Sequence, residues 1–109
     1  MTLASFKSDL LVALQRYFPT ARISITERRS IIFEVRANLD ENTFIEVYYN
    51  ALTQKESYTL ISRGYRVFGY DNYKYWHVHP VESPSEHIEC TRPSSEEVFK
   101  KTAEIFKGL

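Results

Sequence analysis

All three histidines of this 109-residue chain fall within eleven positions, at His77, His79 and His87. They follow the segment Tyr70-Asp71-Asn72-Tyr73-Lys74-Tyr75-Trp76. Imidazole ionises closest to neutral pH of all side chains, with an ordinary pKa of about 6.5, so paired histidines are suited to giving and taking protons. His77 and His79 are two residues apart, and in an extended segment they point the same way. Both then reach one phosphodiester, one as base and the other as acid, while Asp71 holds an imidazole in its working tautomer. A cation must hold the phosphate, and Arg63, Arg66 and Lys74 are near in sequence. Asp71, His77 and His79 are therefore the expected catalytic set. Tyr58, Arg66, Asn72, Lys74, Trp76 and His87 are the expected substrate contacts. Asp71 closes a strand in this reading, so the segment that follows must double back over the end of the sheet to bring the histidines to it.

The same histidines with Asp71 also form a three-imidazole, one-carboxylate donor set of a kind zinc accepts. Their spacing follows no common zinc motif, so the sequence assigns no metal and no cofactor. Cys90 is the single cysteine, which leaves no intrachain disulfide and no cysteine-based zinc cluster. The chain has only Gly64, Gly69 and Gly108, too few and too scattered for a phosphate-cradling loop of the P-loop or Rossmann kind. Fourteen basic residues against fourteen acidic ones exclude a globally polycationic chain and leave room for a local basic cleft. No apolar run approaches the roughly 18–20 residues of a membrane span. Lys7 and Asp9 interrupt the one N-terminal stretch that resembles a signal peptide. The expectation is one soluble, cytoplasmic domain over residues 1–109, with no membrane partner.

The elements that must position these residues read as α+β. Leu3, Phe6, Leu10, Leu14 and Tyr17 recur at helical spacing, with Thr2 as N-cap and Pro19 as terminator. Ile23 and Ile25 alternate with polar residues, and Glu27 to Ser30 reads as a turn. Ile31 to Ala37 and Thr43 to Tyr49 alternate as strands around the turn Asp40-Glu41-Asn42. Ser57–Ser62 and Tyr65–Tyr70 read as a hairpin through Arg63-Gly64. Residues 71–86 read as a loop of about fifteen residues, a length more often functional than a plain connector. A short edge strand follows from His87 to Thr91. Ser94 and Glu97 form a capping box that opens a last helix with Val98, Thr102, Ile105 and Phe106 on one face. The pattern predicts an antiparallel meander of five to six strands packed by an N-terminal and a C-terminal helix.

From about Tyr48 to Phe106 the chain resembles the TumE family of toxins from toxin–antitoxin pairs. The residues that carry the resemblance are Ser57-Tyr58 in an aromatic strand, the Tyr70-Asp71-Asn72 step, His77 and His79, then His87, and Ser94-Ser95-Glu96-Glu97-Val98 opening the closing helix. The family often has an arginine two residues before the aspartate, where this chain has Gly69, with Arg66 nearby. The second histidine cluster tends to read His-x-His, where this chain has Ser85-Glu86-His87. The resemblance implies a small cytoplasmic toxin of prokaryotic type that cleaves RNA, neutralised by a separately encoded antitoxin that often carries a helix-turn-helix domain.

Two classes of function follow. The first is a toxin ribonuclease, independent of metal, with the histidines as acid and base. The second is a non-catalytic binding module whose aromatic sheet face docks a protein or stacks single-stranded nucleic acid. Eight Tyr, seven Phe and one Trp exceed what a core this small readily hides, which adds a homodimer to the expected partners.

Overall fold

A computed structural model describes residues 2–109. Helix α1 (Leu3–Tyr17) opens at the expected cap: the Thr2 hydroxyl accepts from the Ser5 backbone N–H, and the Ser5 side chain closes the box. It stops at Phe18, which leaves the helical region (φ −136°, ψ 61°), as the clash with a following proline favours. Strands β1 (Arg22–Arg28), β2 (Ile32–Asn38), β3 (Thr43–Asn50), β4 (Glu56–Ser62), β5 (Tyr65–Asp71), β6 (His77–His79) and β7 (Ile88–Glu89) precede helix α2 (Ser95–Lys107). The strands lie side by side in chain order, each antiparallel to the next. The meander and its two helices are as expected. The sheet has seven strands rather than five or six, because the segment read as a loop contains β6.

The β4–β5 turn follows from its residues. Arg63 and Gly64 both take positive φ, 52° and 85°, which is the type I′ geometry that matches the twist of a hairpin. Along β2 and β3 the buried residues alternate: Phe33, Val35 and Ala37, then Ile45, Val47 and Tyr49. Tyr58, Leu60 and Phe68 continue that face across β4 and β5. Against it pack Phe6, Leu10, Ala13 and Leu14 of α1 and Val98 and Phe99 of α2. Phe6 stacks on Tyr49 at 4.1 Å between centroids, and Phe99 meets Tyr58 edge-on at 6.2 Å. The helices are tied to each other where Glu96 accepts from Arg16 at 2.8 Å and from the Tyr17 hydroxyl at 2.6 Å.

Both helices therefore cover one face of the sheet, and the other face is left open. Most of the aromatic residues are used in this core. The large exposed ones are Tyr65, Tyr73 and Tyr75, so no broad aromatic surface covers the open face. Over β1, β2 and β3 that face carries charged pairs instead, Arg28 with Glu34 and Arg36 with Glu46. No helix among the described residues is long and apolar enough to cross a membrane.

Candidate functional site

The open face becomes chemical where β4, β5 and β6 meet. Pairing sets Ser57 opposite Asp71, Asp71 opposite His77, Thr59 opposite Gly69, and Gly69 opposite His79. Directly opposed residues share a face, so Asp71, His77 and His79 project together, away from the helices. His77 also pairs with Glu89 and Val78 with Ile88, which brings the preceding residue, His87, beside His79. The three rings cluster: centroids are 4.9 Å apart for His77 and His79, and 4.6 Å from His87 to each.

Arg66 reaches this face through a β-bulge. Leu60 pairs with Phe68 but Ile61 pairs with Arg66, so Val67 is an extra residue on β5. Simple alternation would put Arg66 on the side of Phe68, facing the helices. The bulge turns it to the side of Asp71, a common use of bulges beside functional sites. Its guanidinium donates to the Pro84 carbonyl at 3.4 Å. Gly69 lies between, opposite His79. A β-carbon there would sit 2.6 Å from the Tyr58 carbonyl oxygen, so this position holds glycine and the cation comes from Arg66.

The hydrogen bonds fix how the imidazoles are used. His77 Nδ1 is 3.0 Å from the Tyr75 carbonyl, and His79 Nδ1 is 3.0 Å from the Pro84 carbonyl. A carbonyl only accepts, so both rings carry hydrogen on Nδ1. Their Nε2 atoms then stand 3.1 and 3.0 Å from the two oxygens of the Asp71 carboxylate. His79 Nε2 is aligned for a hydrogen bond with Asp71. His77 Nε2 is buried, misaligned with the carboxylate, and without a hydrogen-bond partner. Burial opposes ionisation of Asp71, but the Tyr73 backbone N–H and the two imidazoles outweigh it, and its pKa lies below the ordinary carboxylate value. Desolvation and then the neighbouring His79 and His77 push the pKa of His87 down, favouring its neutral form. His77 and His79 are each 2% exposed, whereas His87 is open to solvent.

An open cleft of about 370 Å³ runs over this group, lined by Lys55, Ser57, Thr59, Arg66, Asp71, Tyr73 and the three histidines. A second depression of similar volume adjoins it over β1–β3, shares Ser57 and Thr59 with it, and is lined further by Arg36, Glu46 and Tyr48. The residues expected at the site divide accordingly. Asp71, His77, His79, His87 and Arg66 come together. Tyr58 does not: it shares the inward face with Leu60, and its hydroxyl donates to Glu56 at 2.6 Å. Asn72 bridges the Glu56 N–H and the Gln54 carbonyl, at 2.9 and 2.8 Å. Trp76 packs partly on the core side, and Lys74 occupies the turn before β6 with a φ of 68°. Neither lines the cleft. His77 and His79 belong to a strand rather than to the expected loop over residues 71–86, and both are buried. Sequence reasoning passed over Lys55, Ser57, Thr59 and Tyr73. Ser57 and Thr59 were recoverable from alternation along β4 once Tyr58 and Leu60 are assigned to the core.

Comparison with protein-family models, with curated proteins and with solved structures gave no match.

Proposed function

We propose that this chain is a cytoplasmic ribonuclease of the toxin class it resembles, cleaving RNA at the Asp71–histidine cleft. The observation that carries the reading is a cluster of three imidazoles, two of them against one carboxylate, on a sheet face with no helix over it, beside a cation that a bulge aims at them. The roles follow from the hydrogen bonds. His87, exposed and biased to its neutral form, accepts the proton of the RNA 2′-hydroxyl. The 2′-oxygen attacks phosphorus, the bond to O5′ breaks, and a 2′,3′-cyclic phosphate forms. His87, the exposed ring, then returns that proton to the departing O5′. His77, whose Nε2 is buried, stays with His79 against Asp71 and positions the site, and Arg66 and Lys55 balance the phosphate charge. The adjoining depression over β1–β3 extends the surface in the way a chain-like substrate needs. A separately encoded antitoxin that covers this open face would block the reaction.

The test is incubation of purified protein with total RNA in chelator, reading fragment ends. Wild type should give 2′,3′-cyclic phosphate termini, and His87→Ala should lower the rate by about 10²–10⁴-fold, the usual worth of a general base. Undiminished cleavage in His87→Ala, or none in wild type, removes the acid–base assignment. Growth arrest on expression, relieved by the neighbouring gene product, tests the toxin assignment separately.

A further inference from the structure

We propose that His77, His79 and His87 form a binding site for a divalent transition-metal ion of the zinc class. One donor atom from each of the three rings can be chosen so that all lie within 4.8 Å of one another. Four features of the surroundings suit an ion.

The first is the tautomer. Both buried rings spend Nδ1–H on backbone carbonyls of Tyr75 and Pro84 at 3.0 Å. Metal-ligating histidines are held in this way, with the far ring nitrogen donated to a carbonyl or carboxylate so that the near one presents its lone pair.

The second is the orphaned atom. His77 Nε2 is buried and has no hydrogen-bond partner. A buried polar atom left unsatisfied is costly unless something fills its place. With Nδ1–H spent, this atom is a lone pair in the neutral ring, 3.1 Å from Asp71 Oδ1, while the neighbouring His79 Nε2 is hydrogen-bonded to Oδ2 at 3.0 Å. An ion bound here would take the His77 lone pair and replace the proton that His79 shares with Asp71.

The third is spacing. Around a tetrahedral zinc ion with bonds of about 2.0–2.2 Å, neighbouring donors stand about 3.3–3.6 Å apart. Asp71 Oδ1 and Oδ2 lie 3.1 and 3.0 Å from the two histidine nitrogens, near that separation, so the carboxylate is placed to act as a further donor. The three imidazoles must close in by about an ångström from their widest separation. His87, exposed at the entry to β7, is the ring with room to do so.

The fourth is the chemistry of the donors. Imidazole with one carboxylate selects zinc, cobalt or nickel over magnesium or calcium, which prefer oxygen.

This inference does not rest on the acid–base reading. With an ion bound, the ligating nitrogens carry no proton, so the loaded and ion-free forms differ in the chemistry they can do.

The experiment uses the full chain, stripped with chelator and dialysed, then titrated with Co²⁺ by visible absorption and with Zn²⁺ by calorimetry. Expected are one ion per chain, the intense visible bands of low-coordinate Co²⁺, displacement of Co²⁺ by Zn²⁺, and a Zn²⁺-dependent rise in Tm. His87→Ala, which alters an exposed residue, should weaken Zn²⁺ affinity at least about 10–100-fold while the ion-free Tm stays put. Mg²⁺ should produce none of these changes. The proposal is overturned if wild type binds no Co²⁺ or Zn²⁺, or if His87→Ala and His79→Gln both bind as wild type does. Wild type that cleaves RNA in chelator yet takes up no Zn²⁺ ends the metal proposal and keeps the acid–base reading. Wild type that takes up Zn²⁺ but never cleaves RNA does the reverse.

Discussion

Strands β4 and β5 carry two polar clusters, one on each face, and the two differ in how completely they are satisfied. On the helix side, Glu56 is buried, yet both of its oxygens are used. Arg92 donates to them through Nε and Nη2 at 3.1–3.3 Å, and the Tyr58 hydroxyl donates at 2.6 Å. Burial and then the adjacent Glu56 charge push the Tyr58 pKa far up, so this phenol stays a donor at all ordinary pH. On the open side, one residue along each strand, Asp71 faces two imidazole nitrogens, one of which has no hydrogen-bond partner. A buried polar network with every member paired fixes a unique core, while one left incomplete marks a place where something else binds or reacts. Neighbouring residues are divided between the two: Glu56 and Asn72 serve the core, and Ser57 and Asp71 serve the cleft. The contrast separates the residues that hold this protein together from those that give it a task.

If that separation is right, substitutions on the helix side cost stability and those on the open side cost chemistry. The largest effect belongs to Phe99, fully buried against Tyr58 and Phe18. Phe99→Ala should cost about 3–5 kcal/mol by urea denaturation. Phe106, only half-buried, should cost about half as much. Equal losses at the two positions would mean that α2 sits differently on the sheet.

Next comes Arg92→Met, which leaves the Glu56 carboxylate buried with only Tyr58 as donor. Stranding one partner of a buried ion pair costs about 3 kcal/mol or more, although the half-exposed Arg92 lets water offset part of it. Stability should fall by about that amount while RNA cleavage per folded molecule is unchanged. A loss of cleavage without a loss of stability would put Arg92 in the site. Smaller again is His87→Ala, whose ion-free stability should stay within about 0.5 kcal/mol of wild type, as for most exposed positions. A drop of several kcal/mol would show His87 to be part of the core and would break the contrast.

Much of this was legible from the residues because the causes are local. The Thr2–Ser5 and Ser94–Glu97 caps, the stop at Phe18-Pro19, the Arg63-Gly64 turn and the alternation in β2 and β3 each depend on a few neighbouring side chains. The meander follows once the turns are short. What escaped depended on distant contacts. Strand β6 is three residues long, two of them histidine, and it is a strand only because β5 and β7 flank it. The bulge at Val67 leaves no mark in composition, yet it decides which face Arg66 takes. Asp71 with His77 and His79 was readable as a set, since a strand-end carboxylate followed by a returning chain must meet what returns. Tyr58 was misplaced: the expectation set it among the substrate contacts as projecting from the hairpin toward the cleft, whereas its alternation with Leu60 already pointed to the core.

The smallest effect tests the open cluster through acid. The folded pKa of Asp71 is lowered: burial raises it, but the Tyr73 N–H and the histidines more than compensate. In the unfolded chain the group returns to about 3.9. A carboxyl with a depressed folded pKa binds its proton more readily when unfolded. Its contribution to stability is therefore fully present above about pH 4 and is lost as pH falls through the folded value. Asp71→Asn keeps an oxygen for the Tyr73 N–H and removes the titration. Denaturation midpoints of wild type and Asp71→Asn, measured in chelator from pH 6 down to pH 2, should converge as the pH drops, with wild type the more stable at the upper end. Curves that stay parallel would mean that the carboxylate gains nothing from the imidazoles beside it, and the open cluster would then owe its shape to β-pairing alone.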